Sequence, residues 1–272
     1  MSSIGFGFTI GKAKKAGGVS YDADAQAFFT ATGITDSTQK SAVNQLVLDL
    51  KSYNIWTKMK AIYPIVGGTS TTHKYNLKDP RDLDAAFRLT FATGMTHSST
   101  GMVSNGSSGY ANTYLNGNTV LSATSNHMSF YSGTQVSAVQ YEMGILITSQ
   151  YSLTLFESVT VKKSFIQGTY PTNTATVNDS NTKGFQIGSK TSATSLKLYW
   201  NNSNVATNTA SYSSAIQSGN IFLCAVNYNS GPTAYSTKEC RFASIGDGLT
   251  DTESSNFYTA VQAMQTTLSR NV

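Results

Sequence analysis

From residue 55 onward the chain is a succession of short segments in which apolar and polar residues alternate, each closed by a cluster of Ser, Thr, Asn and Gly. The segments are 58–63, 87–91, 109–115, 128–131, 143–148, 153–157, 160–165, 185–187, 196–200, 221–228 and 240–245. Alternation with period two places every second side chain on one face, which is the pattern of a strand with one buried side. Turn signals such as 104–109, Asn116-Gly117-Asn118 and 201–204 separate the runs. Many short strands at this spacing predict a two-layer antiparallel sandwich or jelly roll. No fixed period recurs, which argues against a propeller or a β-helix.

Composition supports this reading. Only 12% of the 272 residues are charged, and Ser, Thr and Asn together make up about a third. A coiled coil or long-helix protein would need far more Ala, Glu, Lys and Leu. The 15 Tyr, 13 Phe and 2 Trp are enough aromatic residues to build a core, which argues against a disordered chain. The net charge of +5 is spread thinly, and its densest patch is Lys12, Lys14 and Lys15. A nucleic-acid footprint would be a face or stripe of Lys and Arg, so nucleic acid is not an expected partner. No run approaches 18 apolar residues, so no membrane span is expected.

Three parts are expected before and around the sandwich. Residues 1–20 read as a flexible or anchoring arm, in which Phe6, Phe8 and Ile10 alternate like a short strand able to add to a neighbouring subunit's sheet edge. Its lysines follow the apolar stretch 4–10, unlike a secretory leader, which predicts synthesis in a cytoplasm. Residues 21–54 read as two helices: Asp22 or Asp24 opens the first and Gly33 closes it, while Asp36 with Gln39 caps the second. Ala42, Val43, Leu46, Val47 and Leu50 then recur at helical spacing. The sandwich, 55–272, ends in a helix over 250–269, opened by Thr250 and Glu253 and striped by Phe257, Val261, Met264 and Leu268.

Catalytic chemistry finds little support in the residues. His73, His97 and His127 are far apart in sequence, and no Cys-x-x-Cys or His-x-x-x-His occurs. No strand carries carboxylates at the alternating spacing that glycoside hydrolysis on a sandwich requires, and there is no Gly-x-Ser-x-Gly elbow. The acids that cluster, Asp79, Asp82 and Asp84, read as a loop with local bonds to backbone around Pro80. For sugar binding the best residues are Trp200, at the end of a strand, and the Asn201 and Asn202 that follow it: an aromatic face beside two amides. Tyr110, Tyr114 and Tyr131 are further aromatic candidates, and Trp56 reads as packing. Cys224 and Cys240 flank the turn-rich stretch 229–233 symmetrically. If that stretch is a hairpin tip, they face each other on paired strands; two buried thiols are the expectation in a reducing compartment.

Two stretches resemble virion-associated proteins of tailed bacteriophages that carry a LamG-like, concanavalin A-like jelly roll. One lies within 22–91, DADAQAFFTATGITDSTQKSAVNQLVLDLKSYNIWTKMKAIYPIVGGT followed by HKYNLKDPRDLDAAFRLTF. The other is the C-terminal FASIGDGLTDTESSNFYTAVQAMQTTL. The resemblance implies a two-sheet antiparallel sandwich exposed on a particle as a fibre, tail or capsid-decoration component, binding proteins or glycans. The implied partners are other virion proteins, copies of the same chain and a host-surface glycan. No cofactor is implied beyond a calcium ion at the sandwich rim, for which Asp247 and Asp251 are the candidates. The expected role is structural and non-enzymatic; a glycan-binding module and a polysaccharide depolymerase are the rivals.

Overall fold

The computed structural model describes residues 1–2, 20–136, 138–148, 151–158 and 162–272. The proposed arm residues Phe6, Phe8, Ile10, Lys12, Lys14 and Lys15 lie outside them.

Two sheets stack face to face. The first runs in the order Ser203–Asn208, Ser195–Trp200, Gly184–Ser192, Asn126–Ser132, Cys240–Gly246, Met102–Ser104 and Met95–His97, with Met59–Tyr63 also paired to Cys240–Gly246. The second runs Thr174–Asn178, Lys162–Thr169, Tyr151–Ser158, Gln140–Thr148, Asn220–Leu223, Ala111–Asn116 and Thr90–Phe91, with the hairpin Val226–Tyr228 and Gly231–Thr233 attached. Pairing is antiparallel except where Asn227 and Tyr228 run beside Ile145 and Leu146. The chain is therefore mainly β, a two-sheet antiparallel jelly-roll sandwich with an N-terminal helical segment and a C-terminal helix.

The first sheet is apolar on both faces. Met128, Phe130, Leu196, Leu198, Ala243 and Ile245 face the second sheet and meet Leu153, Leu155, Phe165, Met143 and Ile145. Tyr131, Phe185, Tyr199 and Phe242 face the other way and pack under three helices. Hence the central strand Asn126–Ser132 is buried at every position, as strands covered on both faces are. The two layers approach closely at Gly188, where an added Cβ would run into the Phe165 ring.

The helices start and stop where their residues dictate. Asp22 caps Ala23–Thr32 by accepting from Asp24 N, and Gly33 ends it in the left-handed region at φ 69°. Asp36 accepts from Gln39 N to start Ser37–Ser52, whose five striped apolar residues are all buried. The terminal helix Asp251–Thr267 opens with the reciprocal Thr250 and Glu253 capping box. Its Phe257 ring lies 5.3 Å from Phe185 and 5.9 Å from both Phe242 and His127. Just past this helix, the buried Arg270 ties the C-terminal end to the rim. Its guanidinium donates to the carbonyls of Ile65 at 2.6 Å, Pro64 at 3.2 Å and Arg241 at 3.1 Å.

Three local expectations change. The alternating run 87–91 forms a strand only at Thr90–Phe91, because a 3-10 turn at Asp84–Ala86 leaves Phe87 left-handed at φ 59°. The run 221–228 breaks in two at Cys224, φ 61°. The hairpin register pairs Val226 with Thr233, so Cys240 is not opposite Cys224. Cys224 follows a strand of the second sheet, Cys240 lies in the first, and both are free thiols buried between them.

Candidate binding site

The hairpin Ser195–Trp200 and Ser203–Asn208 ends in a two-residue turn with Asn201 at φ 42° and Asn202 at φ 71°. Such a turn needs two left-handed residues, and Asn tolerates that conformation better than most. Asn201 then bends back onto the neighbouring strand. Its Oδ1 accepts from Phe185 N at 2.9 Å, and its own N–H donates to Phe185 O at 3.1 Å. Asn202 and Asn204 remain exposed at the tip.

Alternation along the strand sends Tyr199 and Trp200 to opposite faces. Tyr199 turns towards the terminal helix, where its hydroxyl donates to Asp251 Oδ1 at 2.5 Å. Lys197, two residues earlier on the same face, reaches both Asp251 oxygens at 2.7 and 2.9 Å. These bonds from Lys197 and Tyr199 hold the Asp251 carboxyl below its ordinary range, and burial raises the Tyr199 hydroxyl well above its own. Beside this cluster lies a cavity of about 180 Å³. Its floor is Phe185, Ile187 and Tyr199, and its walls are Asn202, Asn204, Asp251, Ser254 and Ser255. An apolar, partly aromatic floor with carboxylate, amide and hydroxyl walls suits a ring that presents one apolar face and several hydroxyls.

The structure thus brings together two residues that the sequence assigned to separate roles, Asn202 to a glycan and Asp251 to calcium. It corrects the expectation for Trp200. That side chain is only 8% exposed, and the Lys163 ammonium lies over its ring at 4.1 Å from the centroid. Asn201 is correspondingly spent on the backbone of Phe185. The other aromatic candidates are also engaged. Tyr131 is buried and donates to Gln262, Tyr110 stacks on Phe222 at 4.6 Å, and Tyr114 accepts from Thr90. Trp56 packs in the helical core under Lys78.

The rim acids are both engaged by lysines. Asp247 pairs with Lys60 at 3.0 Å and Asp251 with Lys197, so a calcium ion at either would have to displace an ammonium. Among the described residues no three of His, Cys, Asp and Glu are gathered as metal ligands. The 79–84 acids make ion pairs, Asp79 with Arg81, Asp82 with Lys74 and Arg88, and Asp84 with Arg88, and Asp79 adds the expected local bond, accepting from the Arg81 backbone N–H across Pro80. Tyr199 and Asn204 escaped the sequence reading. The signal that would have found them is the pairing of an Asn-rich hairpin tip with a helix start some fifty residues later, which requires the topology. Among the described residues, no helix is long and apolar enough to cross a membrane.

No protein-family model matches the chain, and no curated protein matches it in sequence. Solved structures match it in fold alone. One is botulinum neurotoxin type C, whose cell entry depends on interaction with two ganglioside molecules: TM-score 0.53 and 11% identity over 78% of this chain and 53% of that one. Another is a mutant Trypanosoma rangeli sialidase displaying trans-sialidase activity: TM-score 0.52 and 8% identity over 82% of this chain and 39% of that one. The NanB sialidase of Streptococcus pneumoniae aligns over 50% of this chain and 24% of its own length, with TM-score 0.42 and 14% identity. The chain therefore spans about half or less of each of these proteins. At such identities the shared feature is the fold: two stacked antiparallel sheets of jelly-roll type.

Proposed function

We propose that the chain is a non-catalytic recognition module of a tailed-phage virion, made in the bacterial host cytoplasm and displayed as a fibre, tail or capsid-decoration component. In this reading it contacts other virion proteins and copies of itself, and its rim cavity takes one uncharged sugar unit of a bacterial surface glycan. The virion setting is supported by the resemblance of 22–91 and of the C-terminal stretch to phage virion proteins with this kind of sandwich.

The observation that carries the binding site is the convergence of Asn202, Asn204 and Asp251 over Tyr199, Phe185 and Ile187. Amides and a carboxylate supply donors and acceptors for hydroxyl groups, and the floor supplies apolar contact. Lys197 neutralises Asp251, so the cavity favours an uncharged ring. Turnover of a glycan would need two carboxyl groups flanking the bond to be cleaved. Asp251 is the one carboxylate among the described residues lining this cavity.

The test is a glycan array probed with the full chain, followed by calorimetry on the strongest hit. Saturable binding weakened at least tenfold by Asn202→Ala and by Asp251→Asn, with the melting temperature nearly unchanged, is the expected result. Binding to no neutral glycan, or variants that bind like the parent, would overturn the site. Peptide mass spectrometry of purified particles tests the virion setting.

A further inference from the structure

A second and larger opening lies at the other end of the sandwich. It is a groove of about 590 Å³ between the short helix Ser70–His73 and the edge strand Thr90–Phe91. Lys74, Arg88, Phe91 and His97 line it, together with the hydroxyls of Ser70 and Thr71. None of its lining residues is an acid.

The two cations are already arranged around a carboxylate. Asp82 lies between them, Oδ2 on Lys74 at 2.5 Å and Oδ1 on Arg88 Nη1 at 2.8 Å, while Asp84 takes Arg88 Nε at 2.8 Å. Asp82 and Asp84 pair with these cations but are absent from the groove lining, so the groove presents Lys74 and Arg88 with no acid among its own residues. A lysine ammonium has three donors and a guanidinium five. Those contacts leave Arg88 Nη2 and further ammonium protons of Lys74 for a ligand.

The histidine pair adds a donor of fixed identity. Gly68 N–H donates to His73 Nε2 at 3.2 Å, so that nitrogen carries no proton. The proton of neutral His73 is then on Nδ1, which faces His97 Nδ1 at 3.0 Å. His97 must accept it there, and its own proton is placed on Nε2. Burial keeps His73 neutral, pushed down to about 3, and lowers His97 as well. The Phe91 ring lies against His97 with centroids 4.5 Å apart.

We propose that this groove binds a carboxylate-bearing saccharide, with its carboxylate on Lys74 and Arg88, its ring against Phe91 and a hydroxyl accepting from His97 Nε2. This goes beyond the uncharged-sugar reading of the rim cavity and does not depend on it, because the two sites share no residue.

The experiment is calorimetry of the full chain at low ionic strength with trigalacturonate, with its methyl ester, and with an α2,8-linked trimer of N-acetylneuraminic acid. Saturable binding of at least one acidic trimer is expected, falling with added salt because exposed charges are screened. The methyl ester should bind at least tenfold more weakly than trigalacturonate if trigalacturonate is the ligand. Arg88→Gln and Lys74→Gln should each weaken acidic-trimer binding about tenfold. Melting temperatures establish that each variant is folded, and His97→Gln gives a further reading that leaves both cations in place. The proposal fails if neither acidic trimer binds, if the ester binds as well as the acid, or if folded Arg88→Gln and Lys74→Gln bind like the parent.

Discussion

The ammonium of Lys163 stands 4.1 Å from the centroid of the Trp200 ring, while also pairing with Asp179 at 3.0 Å. A cation on an aromatic face is held by the ring's quadrupole, more strongly where water is excluded. Lys163 belongs to the second sheet and Trp200 to the first, so the contact ties the two layers together. Trp200→Ala should therefore act on stability, costing about 3–5 kcal/mol as buried Trp truncations do. Urea denaturation measures the loss, and sugar binding by the folded fraction should be unchanged. A variant of undiminished stability that no longer binds sugar would restore Trp200 as a contact residue.

Lys238 and Glu142 form an ion pair of 2.5 Å with both side chains almost fully buried. Glu142 has Lys238 as its charge partner, so Lys238→Ala strands the carboxylate in the interior and should cost about 3–5 kcal/mol. Replacing both by apolar residues of similar volume removes that penalty. The double variant Glu142→Leu, Lys238→Met should accordingly be more stable than Lys238→Ala, as thermal melts of the three proteins would show. Equal losses in both variants would mean the pair's geometry matters less than the space it fills.

Acid should weaken the fold before its carboxylates protonate. His127 is buried between Asp247 O and Ser244 Oγ, and burial pushes it down from 6.5 to about 4. Between those values the unfolded chain binds a proton there and the folded chain does not, so stability falls as pH drops through the window. The loss from His127 is about 3 kcal/mol at about 1.4 kcal/mol per pH unit. It ends near pH 4, where the folded state also takes the proton. His73 extends the same trend to about pH 3. Denaturation midpoints at pH 7, 5.5 and 4.5 should decline, and His127→Gln should flatten the slope. A parent midpoint independent of pH across this range would refute the assignment.

Cys224 and Cys240 are inaccessible to solvent, and burial together with its neighbour Cys224 holds the Cys240 thiol well above its ordinary range. Thiols in that state are poor nucleophiles. Neither should react with Ellman's reagent in the native protein, and both should react in denaturant. Rapid native labelling would show that the layers part readily at this point.

The elements themselves were legible, because local rules govern them. The caps at Asp22, Gly33, Asp36 and Thr250 and the apolar stripes of the second and terminal helices follow from short-range spacing, and the structure places them as that spacing dictates. The strand runs were readable in part: 87–91 lost most of its length to the turn before it, 221–228 broke at Cys224, and Met95–His97, Met102–Ser104, Thr174–Asn178 and Ser203–Asn208 had no run to announce them. The binding residues were legible only in part. Asn202 and Asp251 both drew notice, yet nothing within fifty residues of chain says that they border one cavity. The His73–His97 contact escaped entirely, since it depends on how a short helix meets a strand 24 residues away. Trp200 misled because residue type and strand position cannot tell which face a neighbouring layer has already taken.

The three helices seal one broad side of the sandwich with the chain's own apolar residues. Among the described residues, the helix-covered face of the first sheet is open to a visiting molecule along its margins, where the rim cavity lies. Such a body has a front and a back. Any array built from it must set every copy with its helical side in a consistent relation to its neighbours, or some copies would offer their marginal openings to the wrong quarter.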